Sequence, residues 1–321
     1  MPIIYNTSLS LRKMEYELTI VIPVYNRAGI VGRTLESVQR QTLRPLRVVL
    51  VDNNSTDATP EVLRAWKEHA EGPGLEIILI DESRAGAAAA RARGLREVTT
   101  PYTMFFDSDD LMAPSHAARA LKALKQTGAD IVGWDVDFIS HRGKPERRRF
   151  YESDTLWHTL MHGSMATQRY AARTDLFRRA GNWDAADHGW DDIELGTRML
   201  LLAPSVKKIN GPVTVTVIGL KESITGEAFS PNARNWEESL DRIERSLAAA
   251  GRPTEAVRLR RAHLAGLYSA EGSAEEALRL MLATLSAEPS ALRRTLLRFA
   301  CRYTSLGGRG VARLLRPFFK I

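Results

Sequence analysis

Cysteine is almost absent from this chain: Cys301 is the only one among 321 residues. No disulfide can therefore form within the chain, and the framework suits a reducing compartment. Cys301 itself, set among apolar and basic residues, reads as a packed, unreactive thiol. Long apolar runs are also missing, since nothing approaches the roughly 18 apolar residues of a membrane span. The opening Met1-Pro2-Ile3-Ile4-Tyr5-Asn6 lacks the charged start and apolar core of a signal peptide. The expectation is a protein neither secreted nor membrane-spanning. Acidic residues are absent from the last stretch: from Pro289 to Ile321 there are eight Arg or Lys and no Asp or Glu. The net charge of +7 thus belongs to the tail, and the rest of the chain is close to neutral.

What is present is an ordinary globular composition, 44% hydrophobic and 26% charged, enough for one large domain or two smaller ones. Residues 1–16 show no clear period and read as a flexible leader. Then strand and helix patterns alternate. Leu18 to Val24 is an apolar, β-branched run, followed by helical spacing between Ala28 and Gln41. Val48 to Val51 ends at Asp52, and the polar loop Asn53-Asn54-Ser55-Thr56-Asp57 leads into a helix through Val62, Leu63 and Trp66. Leu75 to Ile80 is a third strand, before an Ala-rich helix from about Gly86 to Val98. Strands that are apolar throughout and alternate with helices predict an α/β fold, a Rossmann-like, mostly parallel sheet with helices on both faces. Ligands of such sheets bind beyond the carboxyl ends of the strands. Tyr25 and Asn26, Asp52 to Asp57, and Asp107 to Asp110 all follow strands, so they should converge on one edge.

The central stretch is Tyr102-Thr103-Met104-Phe105-Phe106-Asp107-Ser108-Asp109-Asp110, a short apolar run that ends in three carboxylates. Carboxylates this close repel one another unless a cation, a positive ligand or water offsets the charge. Two readings stand: a bound divalent metal, or a solvated turn whose Asp residues cap the helix expected from Pro114 to Thr127. A strand is expected over Ile131 to Phe138. Arg142, Lys144 and Arg147 to Arg149 mark either an exposed hairpin tip or a contact for an anionic acceptor. Met165 to Tyr170 looks strand-like. Further on, Asp191, Asp192 and Glu194 occupy the first turn of a helix, where the macrodipole offers a structural explanation and catalysis offers another.

From about Asn232 the pattern is helical only. Trp236, Leu240, Ile243 and Leu247 recur at helical spacing, and the segment around 255–287 resembles one helix–turn–helix repeat. The end is basic and amphipathic, with Leu292, Leu296, Phe299, Ala300 and Tyr303 on one face and Arg294, Arg298 and Arg302 on another. It suits an anionic membrane surface, or else solvated or oligomer-forming helices; no nucleic-acid motif accompanies the charge.

Residues 18–225 together resemble the family 2 glycosyltransferases, inverting enzymes of GT-A fold. The resemblance rests on five ordered elements: Ile22-Pro23-Val24-Tyr25-Asn26, Val51 to Asp57, Ala90-Arg91-Ala92-Arg93-Gly94, Phe106 to Asp110, and Trp190-Asp191-Asp192-Ile193-Glu194-Leu195. It implies a GT-A domain over 17–230 and a helical C-terminal region over 231–321. It implies a nucleotide-diphosphate sugar donor, with a UDP-sugar favoured, and a saccharide or lipid-linked acceptor. Tyr25 and Asp52 would hold the base, Arg91 would approach the diphosphate, Asp107 would face the ribose, and Asp109, with Asp107, would hold Mg²⁺ or Mn²⁺. Asp192 would be the catalytic base. Pro23, Asn26, Asn54, Ser108, Asp191 and Trp190 complete the substrate-binding set. Composition and the basic tail suggest a cytoplasmic location, either free or peripheral at the inner face of the membrane.

Departures from the family pattern are Arg84 and Ala92 where Asn is usual, Asp191 where Glu is usual, and no His between His188 and His263. A third metal ligand would then be water, Glu222, or the donor itself. A sugar nucleotidyltransferase is the alternative within the fold class, but Pro23-Val24-Tyr25-Asn26-Arg27 is not its Gly-rich phosphate loop. A catalytically silent GT-A-like binding protein is the alternative outside it.

Overall fold

The computed structural model describes residues 15–140, 143, 145–219 and 228–321. Most of the expected leader, the tip residues Arg142 and Lys144, and Glu222 lie outside them.

The first half alternates β1 (Leu18–Val24), α1 (Val31–Gln39), β2 (Leu46–Asp52), α2 (Thr59–Ala70), β3 (Leu75–Asp81), α3 (Ala87–Glu97) and β4 (Tyr102–Phe105). The four strands are parallel neighbours in the order β4-β1-β2-β3. Their apolar residues are divided by the strand period of two. Ile20, Ile22, Val48, Leu50 and Met104 face a cluster covered by α1, α2 and a later helix. Val21, Val49, Val51 and Phe105 face a second cluster with Ala90 and Leu95 of α3. Both faces being buried is why the strands read as continuous apolar runs. The register sets Val24 beside Asp52, and Val21 beside Phe105, so the loops after β1, β2 and β4 emerge together on one edge. Gly94 keeps α3 close: a Cβ there would lie 2.4 Å from Val21 Cγ1.

After β4 come β5 (Leu111–Met112), α4 (His116–Thr127), β6 (Ile131–Gly133), β7 (Val136–Ile139), β8 (Pro145–Arg148), α5 (Thr155–His162), β9 (Tyr170–Arg173), α6 (Thr174–Arg179), α7 (Asp191–Leu201), β10 (Val206–Lys208) and β11 (Val215–Ile218). The full main sheet is β10-β6-β9-β4-β1-β2-β3, with β9 antiparallel to both neighbours; β5, β11, β7 and β8 form a small second sheet. Two sequence expectations change here. The strand expected over Ile131 to Phe138 divides between the two sheets. The Phe150 ring covers Gly133 where a Cβ would stand 2.2 Å away, and Asp135 Oδ1 accepts the Phe150 N–H at 2.8 Å, turning the chain out of the main sheet. The strand expected over Met165 to Tyr170 is instead a short 3₁₀ turn at Thr167–Arg169 before β9. The buried Arg169 donates there to the carbonyls of His162, Gly163 and Arg149, tying the segment down by its side chain. Arg147 and Arg148 are exposed on β8, the return strand of the basic hairpin.

The rest is helical: α8 (Ala233–Ala249), α9 (Glu255–Ala270), α10 (Ala274–Ser286), α11 (Ala291–Ser305) and α12 (Val311–Leu315). Trp236, Leu240, Ile243 and Leu247 are fully buried, as their spacing predicts, in a core that also holds Trp157, Leu160, Ile193 and Trp190. The C-terminal helices thus complete the core around α5 and the start of α7. On α11 the inward face is Leu297, Ala300 and Thr304, so of the expected apolar stripe only Ala300, and Leu296 in part, turns to the core. Leu292, Phe299 and Tyr303 of that stripe point outward with Arg298 and Arg302, and Leu306, Leu314 and Phe318 are exposed beyond them. Cys301 is half-buried, and burial raises its thiol pKa. No helix among the described residues is long and apolar enough to cross a membrane.

Candidate active site

The loops after β1 and β2 are laced together before any ligand is considered. Asn26, in the left-handed region at φ 49°, donates its N–H to Ser55 Oγ at 3.0 Å and accepts the Thr56 N–H at 2.8 Å. Asp52 Oδ2 accepts the Ser55 N–H at 3.1 Å, whereas Asp52 Oδ1 is buried with no partner among the described residues. A buried orphan acceptor is costly unless a ligand donor meets it. Tyr25 presents its ring beside this oxygen's loop with 54% exposure. Pro23 is buried in β1, and Asn54 is exposed at φ 59° in the β2 loop. Asn53, which the sequence leaves as turn chemistry, is buried: it donates to the Glu82 and Arg84 carbonyls and accepts the Gly86 N–H. It fastens the β3–α3 connection to the β2 loop. Gly86, at φ +117°, admits His188, whose Nδ1 would stand 2.9 Å from a Cβ there.

The three acids after β4 are separated by their partners. Asp107 accepts Arg91 Nη2 at 2.8 Å on one oxygen and Gln168 Nε2 on the other. Ser108 is buried, its carbonyl accepting Thr34 Oγ1 at 3.0 Å. Asp109 pairs with Arg27 at 3.8 Å, its carbonyl accepts Arg33 Nη2 at 3.4 Å, and no described side chain hydrogen-bonds its carboxylate. Burial first, then the charge of Asp107, raises its pKa to about 6. Asp110 is almost fully buried; Oδ1 accepts the Ile218 N–H at 2.8 Å, Oδ2 has no hydrogen-bond partner among the described residues, and burial pushes its pKa well up. Asp110 therefore anchors the loop to β11.

Arg91 connects this edge to the start of α7. Its other terminal nitrogen, Nη1, donates to Asp191 Oδ2 at 2.6 Å, and its guanidinium lies 4.8 Å from the Trp183 ring. Both terminal nitrogens that the resemblance directs toward a diphosphate are thus held by carboxylates. Asp191 also accepts the Asp192 N–H at 3.0 Å; burial raises its pKa to about 7, with Arg91 opposing the rise. Asp192 accepts the Ile193 N–H on Oδ1 at 2.7 Å, and no described side chain donates to its Oδ2. Burial also raises the Asp192 pKa, against the charge of Arg91. Trp190 packs with Trp236 at 5.2 Å and Phe229 at 6.2 Å, and its N–H donates to Ser239 Oγ at 2.9 Å. Its place is in the core shared with the C-terminal helices. His188 is exposed nearby. Among the described residues no three His, Cys, Asp or Glu side chains form a ready metal cage. A cation here would have Asp109 as its hard oxygen donor, shared with Arg27, and Asp107 only if the Arg91 and Gln168 bonds yield.

Arg27, Asn53, Gln168 and Trp183 escape sequence reasoning. Arg27 is signalled only by following Asn26, and Gln168 sits in a segment whose period suggests a strand.

The model of the glycosyl transferase family 2 matches residues 19–181, just over half of the chain. Among curated proteins the chain is 30% identical over 164 residues to the glycosyltransferase AglE of Haloferax volcanii, covering 50% of this chain and 52% of AglE. It is 31% identical over 119 residues to the glycosyltransferase GlyA of Streptococcus pneumoniae, covering 37% of this chain and 16% of GlyA. The chain therefore spans only part of these relatives. Among solved structures, residues 1–349 of S. aureus TarS in complex with UDP-GlcNAc superpose with a TM-score of 0.68 at 16% identity, covering 94% of this chain and 92% of that one. A mannosyltransferase from Pyrobaculum calidifontis in complex with GDP-Man and Mn²⁺ gives a TM-score of 0.52 at 20% identity, over 94% and 78%. At these identities the likeness establishes the α/β fold with its helical C-terminal region.

Proposed function

Since the chain belongs to glycosyl transferase family 2, we propose that it is an inverting glycosyltransferase. It moves a sugar from a nucleotide-diphosphate sugar, with UDP the favoured nucleotide, to an acceptor hydroxyl in polysaccharide or glycolipid assembly. The observation that carries the reading is the division between two adjacent acids: Arg91 holds Asp191, leaving Asp192 with a free oxygen on the same edge as Asp52 and Asp109. The exposed Tyr25 ring stacks on the base, and the unpartnered Asp52 Oδ1 accepts its N–H. The UDP-GlcNAc bound by TarS supports the choice of donor class.

Mg²⁺ or Mn²⁺, held by Asp109 and by Asp107 once its present partners yield, would neutralise charge on the departing diphosphate. The fit is that of a carboxylate whose anion is disfavoured by burial and by Asp107, and is offset only in part by Arg27; the Mn²⁺ in the mannosyltransferase structure supports it. The acceptor hydroxyl is a weak nucleophile, and Asp192 takes its proton as the new bond forms. The raised pKa of Asp192 makes it the better proton acceptor, and the charge of Arg91 opposes that rise. Asp191 holds Arg91 in place beside it.

The outward face of α11 and α12 combines Leu292, Phe299, Leu306, Leu314 and Phe318 with a local excess of Arg and Lys, which supports peripheral binding at the cytoplasmic, anionic face of a membrane. The test of the main reading is Asp192→Asn, assayed for transfer and, separately, for UDP binding. Transfer should fall by roughly 10²–10⁴-fold while UDP binding persists; near-normal transfer removes Asp192 from the mechanism.

A further inference from the structure

Helix α9 carries three arginines, and two are neutralised within the C-terminal helices. Arg258 pairs with Glu288 at 2.9 Å, and Arg261 with Asp241 and Glu244. Arg260 makes neither an ion pair nor a hydrogen bond among the described residues, and its Nε is buried without a partner. Its guanidinium lies 4.3 Å from the ring of Trp190, the residue that opens the Asp191–Asp192 turn. Asp192 is the acid whose charge favours its protonated form. Arg169, the other buried cation nearby, is already engaged by three carbonyls.

Helix α5 packs against α9 through Trp157, Leu160 and Met161 and carries two histidines of a row of rings. Tyr151 stacks on His158 at 3.8 Å with 10° between planes, and His158 lies 5.4 Å from His162. His162 is exposed. Burial, then the charges of His158, Arg260 and Arg169, pushes its pKa down to about 4, and burial lowers that of His158 too, which favours the uncharged imidazoles. A neutral ring face suits the apolar face of a sugar or polyol, and a partly buried guanidinium without a counter-ion suits a phosphate oxygen.

We propose that Arg260 and the Tyr151–His158–His162 row form an acceptor subsite beside Asp192 that recognises a phosphate ester carried by the acceptor. The inference rests on the glycosyltransferase reading, because Asp192 marks where the acceptor hydroxyl must lie. The C-terminal helices then do more than support the fold: they select the acceptor by charge. The phosphate belongs either to a polyol-phosphate chain or to a lipid phosphate.

The test is calorimetric titration of the full chain, saturated with UDP, using two matched pairs: glycerol 1-phosphate against glycerol, and a short alkyl phosphate against its alcohol. The intact protein should prefer the phosphorylated partner by about tenfold or more, the order expected of a charge-assisted hydrogen bond. A preference confined to one pair identifies the source. Arg260→Gln should abolish the preference and Arg260→Lys restore part of it, while UDP binding persists in both. His162→Ala, at an exposed position, should weaken glycerol 1-phosphate several-fold and leaves the test standing if the Arg260 variants do not fold. No preference in either pair, an undiminished preference in Arg260→Gln, or wild-type affinity in His162→Ala would overturn the assignment. An intact protein that binds no UDP or UDP-sugar strikes the glycosyltransferase reading instead.

Discussion

Arg91 is the brace on which the site's geometry depends, and removing its charge is the most informative perturbation. Its side chain is 7% exposed and bridges Asp107 at 2.8 Å and Asp191 at 2.6 Å. Arg91→Met keeps most of the volume and leaves two carboxylates facing each other without a counter-ion. Breaking a buried pair from one side costs about 3–5 kcal/mol, whereas replacing all its members by neutral groups is often nearly neutral. The triple variant Arg91→Met, Asp107→Asn, Asp191→Asn should therefore be more stable than Arg91→Met alone. The deficit should also depend on pH. Asp191 titrates at about 7 in the folded chain, above its ordinary carboxylate value. A carboxyl with a raised folded pKa contributes stability that is complete below the unfolded value and lost as pH rises through the folded one. Without Arg91, which lowers the Asp191 pKa, that value climbs further and the loss extends above pH 7. Urea unfolding at pH 5 and pH 8 should thus show a larger deficit for Arg91→Met at pH 8. A deficit below about 1 kcal/mol at pH 8, the range of an exposed ion pair, would refute the reasoning. So would a triple variant less stable than the single one.

Gly94→Ala should destabilise by about 1–3 kcal/mol, read as a lowered urea midpoint, because the added Cβ meets Val21 at 2.4 Å. The acid limb of the transfer rate against pH should have its midpoint above the ordinary carboxylate range, since burial raises the Asp192 pKa; a midpoint near that of a free Asp side chain would contradict the base assignment. Chelator should abolish transfer and Mn²⁺ restore it, and Asp109→Asn should weaken the metal dependence of UDP binding measured by titration. Replacing Phe299, Leu314 and Phe318 together by Ser should remove binding to anionic liposomes in a flotation assay. Those side chains are exposed, so the core of Leu297, Ala300 and Phe319 remains, as it would not on deleting the whole tail.

Much of the fold is legible because its signals are local. The strands β1 to β4 are apolar along their whole length since both sheet faces are covered, and the polar residues that follow each strand mark the ligand edge. Elements whose form depends on a distant side chain are not legible. The break between β6 and β7 needs Phe150 lying on Gly133, and the turn at Thr167–Arg169 needs three carbonyls to receive one guanidinium. The apolar stripe of α11 has a helical period, but a period cannot say which side the protein occupies; Leu297 and Ala300 face inward and Phe299 outward.

The sequence by itself determined the parallel sheet, the order of the loops along its edge and the acids each loop carries. Those follow from residue type and spacing over a few positions. Only the tertiary structure decided which acid is held by which partner. Arg91 reaches from α3 to bind Asp107 and Asp191, leaving Asp109 to Arg27 and Asp192 with an oxygen that no described side chain donates to. Only the structure, too, set Arg260 over Trp190 from a helix far along the chain. Charges in a low-dielectric setting are defined by what lies within a few ångströms, and the sequence does not contain that distance.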